Sequence, residues 1–235
     1  MVVGIMQPYF LPYLGYWQLI NAVDRFVIYD DVNYIKGGWI NRNRYLYNGE
    51  AKVFNIIMKN SSSFKKINEI ELMVGEGKYN PMKKLYSTFE MAYKKAPYFN
   101  EISDLVKKIL YFEEVNLARF IENSIRQVSD YLNINTEILI SSDLDKDDSL
   151  VREQRVIDIC KRLDATKYIN PIGGKELYDK KEFMEHGLEL SFIKMNDVLY
   201  NQFSNEFVAG LSILDALMFN SVDRVKEFLE LYSLE

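Results

Sequence analysis

An α/β fold built on a mainly parallel sheet is what this chain predicts, and three observations predict it. A short apolar strand, a helix and a second apolar strand follow one another within residues 2–29, the pattern of a parallel pair joined by a crossover helix. Strand-like and helix-like segments alternate again from residue 137 onward, which calls for more strands in the same sheet. The stretches that interrupt the alternation have characters of their own, a hairpin around Asn48-Gly49 and an all-helical section over 79–133. The expected architecture is one domain, residues 1–235, with a Rossmann-like sheet, a β-hairpin insertion and a helical lobe.

Residues 2–6 read as a buried strand, 13–22 as a helix carrying Leu14, Trp17, Gln18 and Asn21 on neighbouring turns, and 25–29 as the second strand. Asn48-Gly49 supplies a turn with positive φ between Tyr45-Leu46-Tyr47 and an apolar run over 53–57. Ile70, Leu72 and Val74 alternate, predicting a strand within 67–74. Pro81 suits a helix start, where its missing N–H is unpaired in any case. Pro97 separates that helix from another over 99–112, and Leu117, Ile121, Ile125, Val128 and Leu132 recur at helical spacing in a third. Strands over 137–140, 167–170 and 188–193 alternate with helices over 149–163 and 175–185. Two helices, 211–219 and 221–232, close the chain.

Composition narrows the function classes. With 48% hydrophobic residues the chain can bury a full core, and 27% charged residues do not suggest disorder. A net charge of −5 offers no global basic field for nucleic acid or a membrane surface. The single cysteine, Cys160, can form neither an internal disulfide nor a thiolate cluster, and the single histidine, His186, rules out a zinc site built on histidine and cysteine. No apolar run reaches the ~18 residues of a membrane span. No basic leader precedes the first strand, so the expected location is the cytoplasm.

Four constellations can carry chemistry. The loop after the first strand holds Gln7, Tyr9, Tyr13 and Tyr16 at the head of a helix, whose free N–H groups suit a phosphate or carboxylate. Its aromatics also suit stacking on a base or sugar ring. The plainer alternative is that Pro8, Tyr9, Phe10 and Pro12 only pack the loop. The second strand ends in Asp30-Asp31, followed by Lys36, Trp39, Asn41, Arg42, Asn43 and Arg44 around Gly37-Gly38. The aspartates can hold Mg²⁺, bind a ribose hydroxyl or act as a base, and the arginine forks suit anions. Aspartates and arginines can equally pair with one another. Neighbouring strand residues face opposite ways, so one aspartate is expected to face a site. Asn170-Pro171-Ile172-Gly173-Gly174, with Tyr178 beyond it, can form a backbone anion nest or simply a turn. Gln202 and Asn220 can orient a ligand or serve the packing of the closing helices. Ser141-Ser142 has no histidine partner, which leaves a serine-hydrolase triad unsupported.

The segments Gln7-Pro8-Tyr9-Phe10-Leu11-Pro12-Tyr13-Leu14-Gly15-Tyr16, Val27 to Val32 and Gly38-Trp39-Ile40-Asn41-Arg42-Asn43-Arg44 together resemble the WbqC-like protein family. The likeness continues at Lys94 to Phe99, Arg155 to Lys161, Tyr168 to Gly174 and Leu217-Met218-Phe219-Asn220, spanning nearly the whole chain. Members usually carry Pro-Trp where this chain has Ala209-Gly210. The resemblance implies a bacterial protein of O-antigen or other surface-polysaccharide clusters, with glycine or another amino-acid acyl transfer onto an amino sugar as its proposed role. The strand followed by Tyr13-Leu14-Gly15-Tyr16 also resembles nucleotidylyltransferase (HUP-like) enzymes, which carry His-x-Gly-His there.

The reading is an enzyme that N-acylates an amino sugar, nucleotide-linked, with glycine or a similar small acid. Asp31, Asp30 and Tyr16 are its candidate catalytic residues, with either aspartate as the ligand if Mg²⁺ is used. Gln7, Tyr9, Tyr13, Lys36, Trp39, Asn41, Arg42, Asn43, Arg44, Asn170, Gly173, Gly174, Tyr178, Gln202 and Asn220 are candidates for substrate binding. ATP and Mg²⁺ are the candidate cofactors, and a homodimer is compatible. The alternatives are a non-catalytic nucleotide-sugar-binding partner of a transferase, or a nucleotidylyltransferase.

Overall fold

The computed structural model describes residues 1–203 and 206–235. Its centre is a six-stranded sheet. Strands β1 (Val2–Met6) and β2 (Arg25–Ile28) flank helix α1 (Leu14–Asn21) in sequence. Strand β3 (Arg42–Tyr47) then pairs with β4 (Glu50–Asn55) as an antiparallel hairpin, and β5 (Met58–Lys59) with β6 (Glu71–Leu72). Helices α2 (Pro81–Tyr93), α3 (Phe99–Leu110) and α4 (Leu117–Tyr131) follow. The chain resumes with β7 (Glu137–Ile140), α5 (Arg152–Arg162), β8 (Lys167–Pro171), α6 (Lys180–Glu185) and β9 (Glu189–Met195). It closes with α7 (Ile213–Phe219), α8 (Val222–Leu229) and β10 (Tyr232–Leu234).

The sheet order is β10-β9-β8-β1-β2-β7, parallel except for β10. Counted along the chain, the five parallel strands run 5-4-1-2-3, the Rossmann order read from the other edge. The order reverses between β1 and β8, and ligands of open α/β sheets bind at the carboxyl ends of the strands beside such a reversal.

Strand alternation explains how the core divides. Phe26 and Ile28 point to the α1 side, where they pack with Trp17, Leu19 and the three-helix section. Val3, Ile5 and Val27 point to the other side, against Val156, Ile159 and Cys160 of α5 and Phe183 of α6. Gln18, fully buried on α1, donates to the carbonyls of Phe228 (2.8 Å) and Leu231 (3.0 Å), so its burial leaves no donor stranded. The hairpin turn is Asn48-Gly49, both with positive φ, 51° and 78°.

Several expectations are corrected. Residues 67–74 form a short 3-10 turn, Ile67–Glu69, then the two-residue strand β6, because Leu72 N and Leu117 N pair with the carbonyls of Val115 and Ile70 rather than with a long partner strand. The helix expected from 149 starts at Arg152, after a loop held by Asp147, whose carboxylate accepts from Ser149 N (2.9 Å). The helix expected from 175 starts at Lys180, capped by the Asp179 side chain, and Ile172–Leu177 is a 3-10 segment. The last helix ends at Leu229, and β10 follows it as an antiparallel edge strand on β9. Among the described residues, no helix is long and apolar enough to cross a membrane.

Candidate functional site

Beyond β1 the chain leaves the sheet through residues 7–13, and this loop is held from every side. Phe10 N donates to Ile40 O (2.9 Å), Asn43 Nδ2 and Ser212 Oγ to Leu11 O (2.5 and 2.8 Å), and Ile213 N and Trp17 Nε1 to Pro12 O (2.8 and 3.2 Å). Leu11 adopts φ 45°, a left-handed conformation that costs a residue with a Cβ about 1–2 kcal/mol. Its fully buried side chain and doubly bonded carbonyl hold it there. Tyr16 is buried on α1 and its hydroxyl donates to Gln7 O (2.9 Å); burial raises its pKa, so it stays a neutral donor that braces the loop.

The outer face of this loop gathers residues from three segments. The Tyr9 ring lies 6.4 Å from Tyr13, 6.0 Å from Tyr16 and 6.4 Å from Trp39. The guanidinium carbons of Arg42 and Arg44 sit 4.9 and 5.6 Å from the centre of the Trp39 ring, which is 43% exposed. Arg42 donates to Gly37 O, and the Nε of each arginine is buried with no hydrogen-bond partner. Among the described residues neither arginine is paired with a carboxylate. Two guanidiniums stacked on an indole without counter-ions make an anion-receptive surface, because the guanidinium is weakly hydrated and binds phosphate or carboxylate through paired N–H groups. Tyr9 and Tyr13 are raised in pKa chiefly by burial, so both offer neutral O–H groups at its edge. Gln7 is half-buried and Lys36 exposed. Gly210 closes the far side: it adopts φ +66°, and a Cβ there would lie 2.5 Å from Arg44 Nη2. The Gly210 position is therefore coupled to where Arg44 can stand.

The two aspartates part company, as strand alternation requires. Asp30 accepts from Ser142 N (2.9 Å) and Ser142 Oγ (2.6 Å), tying the end of β2 to that of β7. Asp31 turns to the α5 side, where its Oδ2 meets Lys146 Nζ at 2.8 Å and also binds Arg155 Nη2. Asp148 completes the cluster at 3.1 Å from Arg155 and 3.6 Å from Lys146, and Tyr29 lies under the Arg155 guanidinium at 5.5 Å. Burial alone would raise the Asp31 pKa. The Lys146 ammonium, the Ser141 hydroxyl and the Arg155 guanidinium beside it instead hold it below the usual carboxylate range. Burial pushes the Tyr29 phenol up to about 12, against the pull of Arg155. An aspartate already neutralised by two cations is a weak base and a poor Mg²⁺ ligand. Among the described residues no group of three or more His, Cys, Asp or Glu side chains could hold a metal ion.

The remaining candidates are spread out. Asn41 accepts from Tyr34 Oη (2.9 Å) and donates to Ile56 O (3.1 Å). Asn43 faces inward on Leu11 and accepts from Arg44 N (2.8 Å). Asn170 accepts from Tyr168 Oη (2.9 Å), and its amide fills the space a Gly174 Cβ would need, 2.0 Å from it. Gly173 stands in the open, and neither it nor Gly174 has positive φ. Tyr178 packs edge-on against Tyr168 and Phe183. Gln202 spends its amide on Val208 and on Asp215 Oδ2 (2.6 Å), and Asn220 caps α7 by donating to Ala216 O (2.9 Å).

The fold thus brings Tyr9, Tyr13, Trp39, Arg42 and Arg44 together on the α1 side of β1, and places Asp31 in another cluster on the α5 side. Lys146 and Arg155 were missed by sequence reasoning. Arg155 carried a signal, a charged residue one turn from the fully buried Ile159 on an apolar helix stripe, whereas Lys146 in a charged loop carried none. Asp215 belongs to the same closing stretch of sequence as Gln202 and Asn220, but carried no assigned role there. It is fully buried and accepts from Tyr93 (3.0 Å), Tyr200 (2.8 Å) and Gln202, with no cation paired to it among the described residues, and burial raises its pKa.

Fold and site define an α/β protein of Rossmann strand order with an aromatic–arginine surface at the end of its first strand. The chain belongs to the WbqC-like protein family, which it matches over residues 7–227. It is similar to "Uncharacterized protein Rv1507c" of Mycobacterium tuberculosis, with 30% identity over 222 residues that cover 93% of each chain. No solved structure matches it significantly.

Proposed function

We propose that this protein binds a nucleotide-linked amino sugar on the Trp39–Arg42–Arg44 surface and N-acylates it with glycine or a similar small acid. Membership of the WbqC-like family suggests a protein of polysaccharide clusters, and the reading places this step there. The observation that carries it is the pair of arginines, without carboxylate partners among the described residues, stacked on a half-exposed indole beside Tyr9 and Tyr13. That arrangement suits a diphosphate with a ring at one end. In the acyl step the sugar amine attacks the acyl carbon of a glycyl adenylate or thioester. The new C–N bond replaces the bond to AMP or thiolate, the amine proton passes to solvent, and the oxygen that gains charge needs preorganised donors. Arg42, Arg44 and the neutral Tyr9 and Tyr13 hydroxyls are the donors at hand. Gln7 and Lys36, both at this end of the sheet, are proposed to position the sugar. Asp31, its charge balanced by Lys146 and Arg155 on the α5 side, is an anchor of the fold in this reading and not the proton acceptor.

The test is a titration with UDP- and dTDP-linked amino sugars followed by Trp39 fluorescence, then incubation with glycine plus ATP or with a glycyl thioester. The expected result is saturable binding and an amide product by mass spectrometry. Failure of every nucleotide sugar to bind would overturn the reading.

A second reading, a binding partner of a transferase with no chemistry of its own, draws on one observation. The Cys160 thiol is buried and pushed up to about 12 by that burial, and Asp31 is neutralised, so neither is a ready nucleophile or base. Binding without product from either donor would favour it.

A further inference from the structure

Tyr13 also lines a cleft of about 150 Å³ whose walls include neither Tyr9, Trp39, Arg42 nor Arg44. Its walls include Leu14, Val198, Leu199, Phe207 and Ala216. Polar side chains in the lining are Tyr13, Asp197, Tyr200 and Ser212; of these Ser212 Oγ donates to Leu11 O (2.8 Å) and Tyr200 Oη to Asp215 Oδ2 (2.8 Å). The cleft is therefore mainly apolar, with Asp197 its one charged residue among those described, and an aliphatic cavity of about this size holds a six-carbon ring. It shares Tyr13 with the aromatic surface, and its lip is Ala209-Gly210, with Arg44 beside Gly210. Asp197 is also in the lining.

We propose that this cleft is a subsite for a short apolar substituent on the same ligand whose phosphate lies on Arg42 and Arg44. The proposal rests on the anion-binding part of the reading above and adds the ligand class: an organophosphate with an apolar group of roughly six carbons or fewer, by the cavity comparison. The charge layout orients it. The phosphate stays on Arg44 beside Gly210, because the Asp197 carboxylate in the lining would repel it from inside the cleft, and the apolar group enters past Gly210.

The experiment is a phosphorus NMR titration of the full chain with inorganic phosphate and with methyl, butyl and hexyl phosphate. Affinity should rise about two- to fourfold per methylene from methyl to butyl phosphate, following the transfer of each methylene from water. In Ala209→Trp, which places an indole across the lip at an exposed position, that gain should collapse to within about twofold. Leu199→Asp, also exposed, should have the same effect by putting a carboxylate in the apolar wall. Equal binding of phosphate and butyl phosphate by the unaltered chain would overturn the subsite and leave the arginine clamp standing. Absence of binding by all four would overturn both. A chain-length gain that survives both substitutions would place the apolar site elsewhere and overturn this one.

Discussion

The Arg155 guanidinium on α5 and the Asp31 carboxylate at the end of β2 form a buried ion pair across 124 positions of sequence. The pair joins the first βαβ unit to the helix that feeds β8, and Lys146 braces it from the loop between them. Its geometry says which candidates near the site are structural and which are free to meet a ligand.

Arg155→Ala leaves Asp31 buried with one cation fewer. Breaking a buried pair by removing one partner costs about 3–5 kcal/mol. The expected result is a loss of that size in urea unfolding at neutral pH. An unchanged midpoint would mean that Lys146 alone suffices.

Asp31 also sets a pH dependence. Its folded pKa lies below the unfolded value, so its stabilisation is present above the unfolded pKa, about 3.9, and is lost as pH falls through the folded one. Stability differences between the wild type and Asp31→Asn should be large at neutral pH and fade below about pH 4. A difference that stays constant with pH would refute the charge argument.

Asp215 has the opposite sign. Its pKa is raised, so its contribution is greatest below the unfolded pKa and declines as pH rises through the folded value. Asp215→Asn should flatten that decline, measured as unfolding free energy against pH. Asp215→Ala strands the hydroxyls of Tyr93 and Tyr200 and the Gln202 amide, and should cost about 3 kcal/mol.

Arg42→Ala and Arg44→Ala each remove a charged donor from the anion surface. Phosphate-containing ligands should bind about tenfold more weakly in each variant, with thermal stability nearly unchanged. Loss of folding with no separate loss of binding would make these arginines structural.

Gly174→Ala should destabilise the chain by about 1–3 kcal/mol, since the added methyl meets the Asn170 amide. Gly173→Ala should be silent, because nothing lies within 4 Å of its Cβ position. Weaker ligand binding in Gly173→Ala at unchanged stability would support a backbone nest there.

Much of the fold was readable in advance because strands and helices announce themselves through local periodicity. Val2–Met6 and Arg25–Ile28 are short apolar runs buried on both faces, and the helix from Leu117 buries a face that recurs about every 3.6 residues. The edge strand Tyr232–Leu234 was not readable, since three residues carry no period and its pairing depends on β9. The site shows the same division. Trp39, Arg42 and Arg44 stood out as residue types suited to anions, but Lys146 gave no sign of lying 2.8 Å from Asp31.

The sequence by itself determined the α/β class, the hairpin turn, the three-helix section and the family resemblance, because each lives in residues close together along the chain. Only the tertiary structure decided that Asp30 ties two strands together, that Asp31 is neutralised by Lys146 and Arg155, and that Arg42 and Arg44 lie on Trp39 with no carboxylate partner among the described residues. Whether a charged group is spent or free depends on which distant group the fold sets beside it. No local pattern encodes that neighbour.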